Sequence, residues 1–169
     1  DKDGDMDAVS SGNAIVWHEN NGSQSFTNHT IDNVSALDVF PIDMDKDGDI
    51  DIVGGYSDNV AWYQNNGSQS FTKNIITSSL DNTSAVYAID MDTDGDIDVI
   101  SCSKDDDKIA WYENNGSQSF TAHTIATNAD NVRDVHALDI DKDGDIDLVA
   151  PEYHNSKLRW YENNGSQSF

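Results

Sequence analysis

The sequence contains few of the residues on which several protein classes depend. Cys102 is its only cysteine, so no disulfide can form within the chain. The sequence contains nine basic and 32 acidic residues, which gives a net charge of −23. Because like charges repel, we expect neither nucleic acid nor an anionic membrane surface as a partner. No apolar stretch is long enough to cross a bilayer, so we expect no membrane insertion.

More than half of the acidic residues lie in four short stretches in which aspartate alternates with other residues. The stretch from Asp43 to Asp51 reads D-M-D-K-D-G-D-I-D; close copies begin at Asp90 and Asp139, and a shortened copy starts at Asp1. Very acidic chains are often disordered. Here the four Trp, six Tyr and five Phe recur at regular intervals, which indicates a folded core instead.

The chain is an internal repeat. Its tryptophans are Trp17, Trp62, Trp111 and Trp160, and the block N-N-G-S-Q-S-F recurs unchanged from Asn20, Asn65, Asn114 and Asn163. A period of 40 to 50 residues is typical of repeat architectures. We interpret residues 1–169 as a single segment of four units, with approximate boundaries at 1–33, 34–80, 81–130 and 131–169.

Within each unit the apolar residues alternate with period two, which predicts short β-strands rather than helices. Four antiparallel strands in each unit are typical of β-propeller blades, whose two faces are covered by neighbouring blades. We expect the tryptophans and Cys102 in this core. We also expect the Asn-Gly pair to form a hairpin turn with both residues at positive φ. The first unit lacks an innermost strand and the last an outermost one, so the fold class is all-β with about three and a half blades.

The acidic stretches predict cation-binding loops, because clustered carboxylates repel one another unless a cation lies between them. Oxygen-only ligands on a flexible loop favour Ca²⁺. In this nine-residue pattern the side chains at positions 1, 3 and 5 direct their carboxylates toward the cation, and glycine at position 6 permits a sharp turn. Position 7 offers its backbone carbonyl, and the carboxylate at position 9 completes the shell.

Two alternatives to a propeller calcium loop are disfavoured. An EF-hand requires glutamate at position 12 and flanking helices, whereas position 12 here is Gly54, Ser101 or Ala150 and strands flank the loops. A metal-free acidic turn does not account for four copies of one liganding pattern.

The unit D-x-D-x-D-G-D-x-D-[ILV]-V, followed by W-Y-E-N-N-G-S-Q-S-F-T, resembles the FG-GAP/VCBS repeat of calcium-loop β-propellers. The resemblance covers essentially the whole chain. It implies Ca²⁺ ligands at Asp43, Asp45, Asp47, Asp49 and Asp51; at Asp90, Asp92, Asp94, Asp96 and Asp98; and at Asp139, Asp141, Asp143, Asp145 and Asp147. Asp1, Asp3, Asp5 and Asp7 belong to an incomplete first site, because the equivalent of Asp43 is absent.

We expect a non-catalytic, secreted or cell-surface protein for adhesion or recognition of a glycan or an extracellular protein, since weak calcium sites fill outside the cell. The alternatives are a repeat that self-assembles through incomplete terminal blades into a ring, stalk or filament, and the accessory propeller of a secreted carbohydrate-active enzyme. The loops that differ among units are candidates for ligand contacts. These candidate residues are Tyr56, Asp58, Asp106, Tyr153 and His154.

Overall fold

A computed structural model describes all residues, 1–169, as fourteen β-strands in four antiparallel sheets, which we number as blades 1 to 4. Blade 1 contains β1 (Ala8–Ser10), β2 (Ile15–Asn20) and β3 (Phe26–Asp32). Blade 2 contains β4 (Ala36–Ile42), β5 (Asp51–Tyr56), β6 (Asn59–Asn65) and β7 (Phe71–Thr77). Blade 3 contains β8 (Thr83–Ile89), β9 (Asp98–Ser103), β10 (Lys108–Asn114) and β11 (Phe120–Ala126). Blade 4 contains β12 (His136–Leu138), β13 (Asp147–Glu152) and β14 (Lys157–Tyr161).

The strand order confirms propeller-like blades. In each sheet consecutive strands are neighbours, and adjacent blades contact each other in chain order through β1, β4, β8 and β12. Blade 1 lacks the innermost strand and blade 4 the outermost, as predicted. The structure contains no helix that is long and apolar enough to span a bilayer.

The central strands of a blade are buried on both faces because another blade lies on each side. All six residues of β5 are buried, and so are all six of β9. A Cβ added at Gly54 would lie 2.9 Å from Ile15 of blade 1, and one at Gly55 would lie 2.8 Å from Thr83 of blade 3. The two glycines therefore permit close packing on both faces.

Each interface between blades contains its own apolar cluster. The predicted role of the tryptophans is confirmed for the middle blades, since Trp62 and Trp111 lie in these clusters and are almost fully buried. Trp17 is half-buried, while Trp160 is exposed on the outer face of blade 4. Cys102 is fully buried, as expected.

The N-N-G-S-Q-S turns differ from the expected hairpin geometry. In blade 2 positive φ occurs at Gly67 and Gln69, and not at Asn66. Instead, the Asn66 side chain accepts hydrogen bonds from the backbone N–H groups of Ser68 and Ser70. Asparagine is therefore used as a side-chain acceptor that closes the turn, and not for its tolerance of left-handed backbone.

Candidate metal centres

The acidic loops and the N-N-G-S-Q-S turns lie at the same end of the blades. In blades 2 to 4 the acidic loop connects the first strand to the second, and the N-N-G-S-Q-S turn follows the third. In blade 1, which lacks the innermost strand, the acidic loop precedes β1 and the turn follows β2. We number the acidic loops after their blades: loop 1 (1–7), loop 2 (43–51), loop 3 (90–98) and loop 4 (139–147). The up-and-down order of the strands places both on this common face.

Three of the loops bring three carboxylates together. In each group, one oxygen from every member lies within 4.8 Å of the others, a separation that suits ligands of one ion. The groups are Asp43, Asp45 and Asp51 in loop 2; Asp90, Asp92 and Asp94 in loop 3; and Asp139, Asp141 and Asp147 in loop 4. Loop 1 forms no such group, in agreement with its missing first position.

Backbone N–H groups within each loop hold the carboxylates in place. In loop 2, Asp43 Oδ2 accepts from Gly48 N at 3.0 Å, Asp45 Oδ1 from Asp47 N at 3.3 Å, and Asp47 Oδ1 from Asp49 N at 2.8 Å. Loops 3 and 4 repeat these three bonds. The repeated bonds account for the aspartates at positions 3 and 5, which fix the backbone two residues further on, and at position 1, which reaches the glycine at position 6.

One oxygen in each of two loops has no donor. Asp43 Oδ1 and Asp90 Oδ1 are buried and accept no hydrogen bond. Leaving a buried carboxylate oxygen unsatisfied is costly. A cation among the carboxylates would satisfy both oxygens, and the oxygen-only donor set fits Ca²⁺.

The carboxylate at position 9, which was predicted to complete a ligand shell, accepts two backbone hydrogen bonds in the structure. Asp51 is fully buried; its Oδ1 accepts from Asn65 N at 2.7 Å, and its Oδ2 accepts from Met44 N at 3.2 Å. Asp98 and Asp147 make the equivalent pairs of bonds. Each therefore joins its acidic loop to the end of the third strand, where the N-N-G-S-Q-S turn begins.

Burial raises the pKa of Asp51 to about 6, and that of Asp98 to about 6, despite the hydrogen bonds that favour the ionised forms. The loops also differ in their third carboxylate. Position 9 supplies the third carboxylate in loops 2 and 4, through Asp51 and Asp147, whereas position 5 supplies it in loop 3, through Asp94; both positions were predicted as ligands. Asp98 is thus the clearest case of a residue that holds the loop without joining the cluster.

The side chain at position 7 lies outside the clusters, against the glycine of the adjacent turn. A Cβ on Gly67 would lie 2.7 Å from Asp49 Oδ2, and Gly165 has the same relation to Asp145. The contribution of the position-7 backbone carbonyl to a metal shell remains a prediction.

A lysine at position 4 links neighbouring loops. Lys2 Nζ lies 2.7 Å from Asp49 Oδ1 of the next blade, and Lys46 Nζ lies 3.5 Å from Asp96 Oδ1. Thr93 occupies this position in loop 3, so the contact with Asp145 is missing. We did not predict these ion pairs, although lysine at position 4 of three loops was visible in the sequence.

On the opposite face, the five candidate ligand residues differ in accessibility. Tyr56 is only 9% exposed, with Lys73 Nζ 4.4 Å from its ring centroid, so it offers little surface to a ligand. Asp58 accepts from Asn82 N, and Asp106 from Ser103 Oγ, so both stabilise loop structure.

Tyr153 and His154 are exposed and lie in a small cluster with two residues that we did not predict. The Arg133 guanidinium lies 4.6 Å from the Tyr153 ring centroid, and His154 Nδ1 lies 3.1 Å from Asp130 Oδ1. We call these four residues the aromatic cluster. Arg133 and Asp130 come from the link between blades 3 and 4, so only the fold brings them to this loop.

Histidines elsewhere make structural contacts that recur between blades. His29 stacks on Trp17 at 4.5 Å and contacts Glu19 at 2.7 Å. His123 repeats this arrangement in blade 3, stacking on Trp111 at 4.6 Å and contacting Glu113 at 2.7 Å. Both histidines therefore pack on a tryptophan and pair with a glutamate of the same blade.

Comparison with known proteins agrees with a fold of repeated, propeller-like blades. The model of the FG-GAP-like repeat matches residues 43–101 and 90–150, so the chain belongs to the FG-GAP-like repeat family. A search among curated proteins gave no match. A solved structure of an Agrocybe aegerita lectin, described for its specific recognition of non-reducing terminal N-acetylglucosamine, is similar with a TM-score of 0.57 and 18% identity. The similarity covers 85% of this chain but 43% of the lectin chain, which is therefore about twice as long.

Proposed function

We propose that this chain is a non-catalytic, calcium-binding recognition propeller that works outside the cell. The observation that carries the calcium assignment is the grouping of three carboxylates in each of loops 2, 3 and 4, with a buried, donor-free oxygen in two of them. The FG-GAP-like match to the same residues supports it.

In this proposal the ion is held by the position-1 and position-3 carboxylates of each loop. Asp51, Asp94 and Asp147 supply the third carboxylate of their loops. The bound cation neutralises clustered negative charge and so removes the repulsion that opposes folding of the loops. Extracellular calcium modules bind with Kd of roughly 10⁻⁴–10⁻³ M. Sites of this strength fill only at extracellular calcium concentrations, which is the reason for proposing a secreted or surface location.

Isothermal titration calorimetry with Ca²⁺ tests the metal sites directly. We expect heat of binding with a stoichiometry near three, and a reduced stoichiometry for Asp45→Asn. Asp58→Asn is the matched control, because it removes one carboxylate from the opposite face. Absence of calcium-dependent heat in the unmodified chain would refute the metal assignment.

For the partner we propose a glycan, bound at the aromatic cluster of Asp130, Arg133, Tyr153 and His154. The exposed Tyr153 ring provides a flat surface on which the apolar face of a sugar ring can pack. Arg133, His154 and Asp130 surround it with donors and acceptors, as binding sites require for orientation. The similar solved structure is a glycan-recognising lectin, which makes a glycan the first partner to test.

A glycan array probed in calcium tests this assignment. We expect binding to at least one glycan class and loss of that binding in Tyr153→Ala. Phe26→Ala removes another exposed aromatic side chain, on blade 1, and should bind normally. Equal binding by both variants would exclude the aromatic cluster, and binding only to proteins would redirect the proposal to a protein partner.

A further inference from the structure

The second residue after each tryptophan differs between blade 2 and the other blades. It is Gln64 in blade 2, whereas the other units carry glutamate: Glu19, Glu113 and Glu162. We call it the Trp+2 position. The residue opposite the tryptophan on the next strand changes with it, since it is Asn74 in blade 2 and histidine in blades 1 and 3. The paired change indicates that the two positions form one arrangement.

In blade 2 the Trp+2 side chain contacts acidic loop 2 directly. Gln64 Nε2 donates to Asp45 Oδ2 at 2.7 Å, and Asp45 Oδ1 accepts from Asp47 N at 3.3 Å. Asp45 is the position-3 carboxylate of this loop and belongs to its group of three. Both oxygens of Asp45 therefore have donors from the protein, and the donor at the Trp+2 position is a neutral amide.

In blade 3 the Trp+2 position carries a carboxylate instead. Glu113 Oε2 lies 2.7 Å from His123 Nε2. Asp92, the position-3 carboxylate of loop 3, accepts one hydrogen bond, at Oδ1 from Asp94 N. Burial raises the pKa of Asp92, and the negative charges of Asp94 and Glu113 raise it further. Glu113 thus lies close enough to the loop for its charge to act on the carboxylate group.

We propose that the Trp+2 residue sets the calcium affinity of its loop, and that loop 3, with Glu113, binds Ca²⁺ more tightly than loop 2, with Gln64. The number of anionic groups at a site tunes its affinity for Ca²⁺. Glu113 repels the carboxylates of loop 3 when no cation is present and attracts the cation when one binds, so it increases the gain on binding. The Gln64 amide satisfies Asp45 without a cation, so loop 2 gains less.

This inference rests on the proposed calcium function and adds an order of filling to it. As the calcium concentration rises, loop 3 fills before loop 2, although both carry the same nine-residue pattern of aspartates and glycine. The Trp+2 residue lies outside that pattern, on the third strand of the blade, so the pattern alone does not determine the affinity of a loop.

Nuclear magnetic resonance titration of the chain with Ca²⁺ separates the loops. The backbone N–H groups of Gly48 and Gly95 donate to Asp43 and Asp90 at 3.0 Å, so each glycine signal reports on its own loop. We expect the Kd measured at Gly95 to be at least about threefold lower than that at Gly48. Glu113→Gln should raise the Kd of loop 3 by at least about threefold and leave the Kd at Gly48 unchanged.

Three further variants separate charge from packing. Gln64→Glu should lower the Kd of loop 2, whereas Gln69→Glu adds the same charge in the adjoining turn and should change that Kd much less. His123→Asn removes the partner of Glu113 but keeps the carboxylate, so it should not weaken loop 3. The dispersion of the amide signals checks that every variant folds.

The outcomes distinguish this inference from the calcium proposal on which it rests. No response to Ca²⁺ in the unmodified chain would refute calcium binding itself. Equal Kd values for loops 2 and 3, or an unchanged Kd in either Glu113→Gln or Gln64→Glu, would overturn the inference while calcium binding stands. If His123→Asn weakens loop 3 as much as Glu113→Gln does, the pair acts through packing and the role assigned to charge is wrong.

Discussion

Replacing Asp98 by alanine would separate the structural role of position 9 from metal binding. Asp98 is fully buried and lies outside the carboxylate group of its loop. Its two oxygens accept from Asn114 N at 2.7 Å and from Met91 N at 3.0 Å. The substitution therefore leaves two buried N–H donors without acceptors, even when no calcium is present.

The expected loss follows from these two bonds. Each orphaned donor costs about 1–3 kcal/mol, so the sum is about 2–6 kcal/mol. Part of this is offset at neutral pH, because burial raises the pKa of Asp98 to about 6 and so penalises the ionised carboxylate. We expect a net loss near the lower end, about 2 kcal/mol.

Urea denaturation in EDTA measures this loss without a contribution from metal. Asp94→Ala is the matched control, because Asp94 is exposed and its bond to Asp96 N lies at the surface. The control should lose little stability in EDTA. If Asp98→Ala is no less stable than Asp94→Ala in EDTA, position 9 does not hold the loop to the third strand.

The pH dependence provides a further check on the same residue. The folded state of the unmodified chain binds a proton more tightly at Asp98 than the unfolded state does. Ionisation therefore costs the unmodified chain stability between about pH 4 and pH 6. The variant lacks this group, so its deficit relative to the unmodified chain should be larger at pH 5 than at pH 7.

Four further predictions concern other parts of the acidic face. Calcium at about 2 mM should stabilise the chain by about 1.8 kcal/mol for each site of Kd about 0.1 mM, and a thermal melt with and without EDTA measures this. Without calcium, the free energy of unfolding should fall as pH rises from about 4 to about 6, because the raised pKa of Asp51 favours the protonated folded state; urea titrations at several pH values test the sign. Gly67→Ala should destabilise by more than about 1 kcal/mol in urea, since its φ is 77° and its Cβ would lie 2.7 Å from Asp49 Oδ2. Thr93→Lys should add an ion pair to Asp145 worth up to about 1 kcal/mol, which high salt removes in the same assay.

Much of the fold was predictable from the sequence because the repeat supplies four examples of each element. The period-two pattern and the recurring Trp predicted strands and cores between blades, and Trp62 and Trp111 lie where expected. The missing strands at the two ends followed from the same alignment of repeats. The turn geometry did not follow from the repeats. Asparagine tolerates positive φ, but Asn66 instead accepts a hydrogen bond through its side chain.

The carboxylate groups were predictable in outline, because each unit repeats the same alternating aspartates around one glycine. Their details depend on tertiary contacts that no local pattern contains. The buried bonds of Asp51 involve Asn65, fourteen residues away, and the aromatic cluster combines Arg133 with Tyr153 across a link and a loop. Tyr56 lies beside a variable loop in the sequence, but in the structure it is 9% exposed and packs in the cluster between blades 1 and 2, with Lys73 Nζ 4.4 Å from its ring centroid.

The separation of uniform loops at one end from divergent loops at the other makes the blades attractive for engineering. The turn from Tyr153 to Ser156 bonds mainly to its own hairpin and to the preceding link, and makes no bond to the acidic loops. A library of sequences grafted at this turn, or at the matching turns of blades 2 and 3, would diversify one end of each blade while leaving its acidic loop unaltered. Selection for new specificities could then proceed one blade at a time.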